Sequence, residues 1–179
     1  MLPDVVTSLS RTGKKRRLWT PGPETVTVDH HRSAIVRMLP HRDPFLLVDS
    51  ISAVDLRAGA ITAHRRIDPS DPVFRGHFPG YPIYPGVLLL ETMGQAGICL
   101  LSFHLRKSTA VGDDAHPLDV RALKIHTALF QAEVRPGDEL TILGSIVTHD
   151  DYGAVCAGQI LVHDNIAAFA VMEVHLVQA

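Results

Sequence analysis

A chain of 179 residues that is 46% hydrophobic and 20% charged suits one globular domain with a single core. Its net charge of −2 at pH 7 gives no global basic bias of the kind that binds nucleic acid. Six of the 17 basic residues nonetheless fall in the first 33 positions, against three acids, so the remainder of the chain is acidic.

Taken in order, residues 1–31 show no clear period and carry Gly13-Lys14-Lys15-Arg16-Arg17 and Pro21-Gly22-Pro23. They are expected to form a mobile arm, so that residues 1–32 extend a domain over 33–179. No basic n-region followed by an apolar run opens the chain, and no secretory signal is expected. Ser33 is placed to cap a short helix over 34–39, which Pro40 ends. His41-Arg42-Asp43-Pro44 reads as a turn. Residues 45–56 and 60–67 read as strands joined at Arg57-Ala58-Gly59. Residues 68–86 hold five prolines and three glycines, so they are irregular but stiff.

A helix should begin at Pro85 or Gly86 and run to Leu105. It is nearly long and apolar enough to cross a membrane. Glu91, Gln95 and His104 argue instead for a core helix wrapped by a sheet, with no membrane insertion. After a polar loop over 107–117 the period becomes strand-like: 120–134, 139–148, 152–162 and 166–177. The connections are short, so the pairing should be antiparallel. About six strands around one long helix, without βαβ alternation, make an α+β protein. Cys99 and Cys156 lie in apolar segments and read as reduced core thiols.

The chemistry concentrates between Phe74 and Phe103. His77 stands in the proline-stiffened loop, and its imidazole can take a proton near neutral pH. Glu91 is the one carboxylate in the apolar helix, with Gln95 one turn on to orient it. Val87–Leu90 and Met93 leave it no polar face, so it should be buried, and a buried glutamate needs a partner or a raised pKa. The backbone N–H of Gly86, at the helix N-terminus, suits an oxyanion, and the glycine lets a carbonyl come close. His30-His31 has no partner at a metal-ligand spacing. No HExxH, CxxC, GxGxxG, GxSxG or phosphate-loop pattern occurs, so metal, dinucleotide, serine-hydrolase and nucleotide readings lack support.

Gly76-His77-Phe78-Pro79-Gly80, Pro82, Pro85-Gly86-Val87-Leu88, Glu91 and Gln95 resemble the signature of the bacterial 3-hydroxyacyl-acyl carrier protein dehydratases. Leu39-Pro40-His41-Arg42 with Pro44-Phe45-Leu46-Leu47-Val48-Asp49 is similar to that family's opening motif, and Phe130 with Pro136-Gly137-Asp138 to a later one. The likeness covers about residues 33–178. It implies a hotdog fold and a homodimer in which His77 of one subunit meets Glu91 of the other. It implies loss of water from a 3-hydroxyacyl thioester on an acyl carrier protein, without a cofactor, by a cytoplasmic enzyme of fatty acid or polyketide-type assembly. His77 and Glu91 would be catalytic; Gly86, Gln95, Phe78 and Tyr84 would bind substrate, Tyr84 near the acyl tunnel. Asp43, Val73, Tyr84, Leu129 and the N-terminal extension depart from the family's usual residues. Because a carrier protein is acidic, Arg65, Arg66, Arg75, Lys124, Arg135 and the 14–17 run are candidate docking residues. The competing expectations are a non-catalytic hotdog subunit, a hotdog thioesterase and a dehydratase-isomerase. The last has an aspartate where this chain has Glu91.

Overall fold

The computed structural model describes residues 2–177. Residue 1 of the expected extension and residues 178 and 179 of the expected domain lie outside them. The elements are α1 (Leu2–Thr12), β1 (Val26–His31), α2 (Arg32–Met38), β2 (Ser50–Asp55), β3 (Ala60–Arg66), a 3₁₀ turn (Pro72–Arg75), α3 (Gly86–Arg106), β4 (Val120–Phe130), β5 (Glu139–His149), β6 (Gly153–Val162) and β7 (Asn165–Leu176). All pairings are antiparallel, in one seven-stranded sheet of order β1-β2-β3-β5-β6-β7-β4.

The period of two along each strand separates the two faces of this sheet. In β7, Ala168 and Ala170 turn inward to the main core while Phe169 and Val171 turn outward. In β6, Ile160 faces in, and a Cβ at Gly158 would stand 2.7 Å from the Met93 side chain of α3. Small residues therefore let α3 lie close on β5, β6 and β7. Eleven of its 21 residues are buried, which explains a helix apolar enough to cross a membrane without placing it in one. Cys99 and Cys156 are buried and unpaired, and burial pushes both thiols up to about 12.

Three expectations change. The sheet has seven strands, the added one being β1 at its edge, paired with β2. The chain runs from β1 straight into α2, so His31, in extended conformation, holds the N-cap position expected for Ser33. Residues 45–49, expected within a strand, precede β2; the Gln95 side chain bonds Leu47 N–H and the Phe45 carbonyl in place of a ladder partner.

Residues 2–31 are also more ordered than their composition suggests. Leu2, Val6, Leu9 and Leu18 pack on the outer face against Val155, Phe169 and Val171. Buried Gln159 clasps this arm: its Oε1 accepts from Leu18 N–H (2.9 Å), and its Nε2 donates to the carbonyls of Gly13 (2.6 Å) and Arg16 (2.9 Å). Trp19 Nε1–H donates to the Ile61 carbonyl of β3 (2.8 Å). A Cβ at Gly13 would collide with the Phe169 ring, so only glycine lets the arm lie this close.

Gln159→Ala removes all three clasp bonds. It is expected to cost about 1–3 kcal/mol in urea unfolding and to speed tryptic cleavage at residues 14–17. Unchanged stability and cleavage would mean that apolar contacts alone hold the arm.

Candidate active site

The loop from Pro72 to Pro85 is built to hold an imidazole. Asp71 starts the 3₁₀ turn by accepting from Val73 N–H (2.9 Å). The Val73 carbonyl then accepts from His77 N–H (3.0 Å), and the His77 carbonyl accepts from Ile83 N–H (3.0 Å). His77 Nδ1 lies 2.9 Å from the Ile83 carbonyl. A carbonyl only accepts, so Nδ1 carries the proton and the neutral ring keeps Nε2 free as a base. Phe78 stacks on His77 with ring centroids 4.1 Å apart and is half exposed.

His77 opens on a pocket of about 320 Å³ lined by Ile83, Tyr84, Gly86, Leu89 and residues 130–134. Gly86 is the first residue of α3, where backbone N–H groups have no partner within the helix. A Cβ there would stand 3.1 Å from the Phe130 ring, so the glycine lets that ring pack close against the start of α3. Tyr84 is buried, with its hydroxyl unpartnered among the described residues and Arg65 Cζ 5.5 Å from its ring centre. Burial pushes the Tyr84 hydroxyl above its ordinary pKa, against the pull of Arg65. The same ring borders a second cavity of about 730 Å³.

Glu91 stands elsewhere. It lies in a mostly apolar groove of about 260 Å³ with Val87, Leu90, Gly94, Ile98 and the inner edge of β4. No residue lines both this groove and the His77 pocket. The helix explains why: Gly86 and Glu91 are five residues apart, which at about 100° per residue places them roughly 140° apart around the axis. Within one chain the structure does not bring His77 and Glu91 together. Glu91 also differs from the buried acid expected of it, since its side chain is 33% exposed on the open groove. It does have the expected orienting partner: Gln95 Nε2 donates to Glu91 Oε1 (2.9 Å) while Gln95 Oε1 accepts from Leu47 N–H (2.7 Å).

The residue-by-residue reading missed His41. Its Nε2 lies 3.4 Å from Glu91 Oε1, and its Nδ1 is buried without a partner among the described residues. The signal was its place in Leu39-Pro40-His41-Arg42, yet nothing in the spacing says that this turn packs on α3. His126 and Glu173 form a second pair, Nε2 to Oε2 2.8 Å, with Glu173 on the Glu91 groove. The candidate docking cations scatter. Arg65 and Arg66 border the larger cavity, Lys124 the Glu91 groove, and Arg135 is paired with Glu133. No group of three or more metal-ligating side chains occurs among the described residues.

One long helix wrapped by an antiparallel sheet, with an oriented imidazole at the helix N-terminus and a carboxylate on its flank, defines a hotdog protein equipped for acid–base chemistry. Known proteins agree. Residues 39–170 match the FabA-like domain. A 3-hydroxyacyl-acyl-carrier-protein dehydratase FabZ of Campylobacter hominis is 40% identical over 140 residues, covering 78% of this chain and 92% of the relative. That of a Nitratiruptor species is 39% identical over 146 residues, covering 80% and 95%. The chain therefore belongs to the FabA-like family, among its 3-hydroxyacyl-acyl-carrier-protein dehydratases. In fold it resembles the dehydratase heterocomplex ApeI:P of Xenorhabdus doucetiae, with a TM-score of 0.62 at 19% identity over 80% of this chain and 91% of that one.

Gln95→Leu keeps the volume but leaves Leu47 N–H and the Phe45 carbonyl without a partner. Each should cost about 1–3 kcal/mol, read as a lower urea midpoint. Wild-type stability would show that residues 45–49 do not depend on this amide.

Proposed function

We propose that this chain removes water from a 3-hydroxyacyl thioester carried on an acyl carrier protein, giving the trans-2-enoyl thioester, in cytoplasmic fatty acid assembly. The observation that supports the residue roles is the His77 Nδ1–Ile83 contact, which occupies Nδ1 and leaves Nε2 as the ring's uncommitted nitrogen at the pocket beside the first turn of α3. His77 Nε2 takes the proton from C2. The Gly86 N–H holds the thioester oxygen as negative charge develops there. The C3–O bond breaks, the electron pair from C2 forms the C2–C3 double bond, and the departing hydroxyl takes a proton from Glu91 and leaves as water. Phe78 shields the imidazole, Tyr84 bounds the acyl pocket, and Gln95 aims Glu91. The reaction is redox-neutral and uses no cofactor in this scheme.

The roughly 140° between Gly86 and Glu91 supports a homodimer in which Glu91 comes from the partner subunit. So do the apolar residues left exposed nearby: Val87 at the start of α3 and Leu123 and Ile125 on edge strand β4. Two-fold symmetry would then give two equal sites, each with His77 from one chain and Glu91 from the other.

The test measures enoyl absorbance from a 3-hydroxyacyl-carrier substrate for His77→Ala and Glu91→Gln. Each alone should lose on the order of 10²–10⁴-fold in rate. Mixed, unfolded and refolded together, the two variants should regain about a quarter of wild-type activity, because half of the dimers would hold one intact site. No recovery would place both groups within one chain. Release of free thiol instead of enoyl product would mark a thioesterase.

A further inference from the structure

The chemistry leaves one singled-out motif unused, the basic run Lys14-Lys15-Arg16-Arg17. Its backbone is fastened down while its side chains are exposed. Gln159 bonds the carbonyls of Gly13 and Arg16, and the Thr12 carbonyl accepts from Lys15 N–H (2.9 Å) and Arg16 N–H (2.9 Å). Gln131 Nε2 donates to the Lys14 carbonyl (3.0 Å). Gln131 is itself a lining residue of the His77 pocket, so one side chain joins the run to that pocket's rim. Strand alternation places it there. Leu129 turns outward among the residues that hold the arm, whereas Phe130 turns toward Gly86 and the pocket.

The local charges do not cancel the run. Glu133, also a lining residue of that pocket, is paired with Arg135 (2.6 Å), and Asp164 with Arg17 (2.9 Å). Lys14, Lys15 and Arg16 have no acidic partner in the described ion pairs. Three unneutralised cations on a pinned backbone form a preorganised anion-attracting surface, and little ordering remains to be done on binding.

We propose that the N-terminal basic run is a docking surface for the carrier protein, engaging acidic side chains of that partner as its acyl arm enters the His77 pocket. The inference rests on the dehydratase reading for the identity of the partner. Its test is arranged to fail separately. The variant is Lys14→Ser, Lys15→Ser and Arg16→Ser together, which keeps every backbone bond holding the run.

Binding of labelled carrier protein, with and without its phosphopantetheine arm, is measured by fluorescence anisotropy for wild type and variant. The variant should bind both forms at least tenfold more weakly, and the salt dependence of wild-type binding should flatten. Lys14→Arg with Lys15→Arg should bind as wild type does. Equal binding by wild type and the triple variant overturns the proposal, whether or not the enzyme turns over. A loss seen only with the arm-bearing carrier assigns the run to the arm's phosphodiester and overturns the assignment to acidic side chains. In turnover, the triple variant should lose at least tenfold in kcat/KM, mainly through KM, on the carrier-bound substrate, and nothing on the matching N-acetylcysteamine thioester. An equal loss on both would make the run structural. Failure of wild type on both thioesters, with the binding difference intact, would sink the dehydratase reading but not the docking surface.

Discussion

Everything in this structure depends on how α3 is buried. The helix is too apolar to lie on a surface, and the sheet covers it by coming very close. That approach needs Gly158, Ala168 and Ala170 where larger side chains would force α3 away. Covered in this way, α3 keeps one uncovered stripe, Val87, Leu90, Glu91, Gly94 and Ile98, at the 3.6-residue period. The sheet ends beside that stripe at edge strand β4, which also leaves Leu123 and Ile125 in the open. Gln95, just inside the stripe, is buried where no water can satisfy it. It therefore takes the backbone groups of residues 45–47 and Glu91 together. The carboxylate, the turn that carries His41 and the helix are thus one hydrogen-bonded unit, not separate features.

On the proposed scheme, the same helix would divide the chemistry between two chains. An oxyanion site must sit at the N-terminus, because only there are backbone N–H groups free. An acid one and a half turns later cannot point the same way. The angle follows from helical geometry and not from any side chain, so no rotamer change within one subunit repairs it. In the proposed homodimer, a second copy brought in along the uncovered stripe would repair it. This also accounts for the one-third exposure of Glu91, which lies on the face that such a copy would cover.

The sequence made α3 legible because it is long, apolar and bounded by Pro85 and a polar loop. His77, Glu91 and Gln95 were legible through their motif, and the Glu91–Gln95 bond through the four-residue spacing. The arm was not. Leu2, Val6 and Leu9 do recur at helical spacing, but a charge run and two prolines follow, and nothing local says that a sheet face awaits them. The arm's hydrogen bonds come from distant side chains, chief among them Gln159, whose polar atoms sit in a strand that otherwise reads as apolar. His41 failed for the same reason. Its contact with Glu91 is direct but spans 50 positions, and no periodicity announces it. Residues 45–47 were misread because the Gln95 side chain, and not a neighbouring strand, takes the Leu47 N–H and the Phe45 carbonyl.

The end of β4 links the two halves of the molecule. Residues one position apart there face opposite ways, Leu129 toward the arm and Phe130 toward the pocket. An extension fixed to the outer face at this point necessarily arrives at the rim of the inner pocket, without touching His77 or the helix N-terminus. On the docking proposal, substrate would be delivered by the arm on the outer face of the sheet and converted by His77 and Glu91 on its inner side. The extension can vary in charge without disturbing the geometry that the reaction needs. A basic segment fastened anywhere else on the outer face, for example over β3 or β5, would be equally stable and would have no access to the pocket mouth.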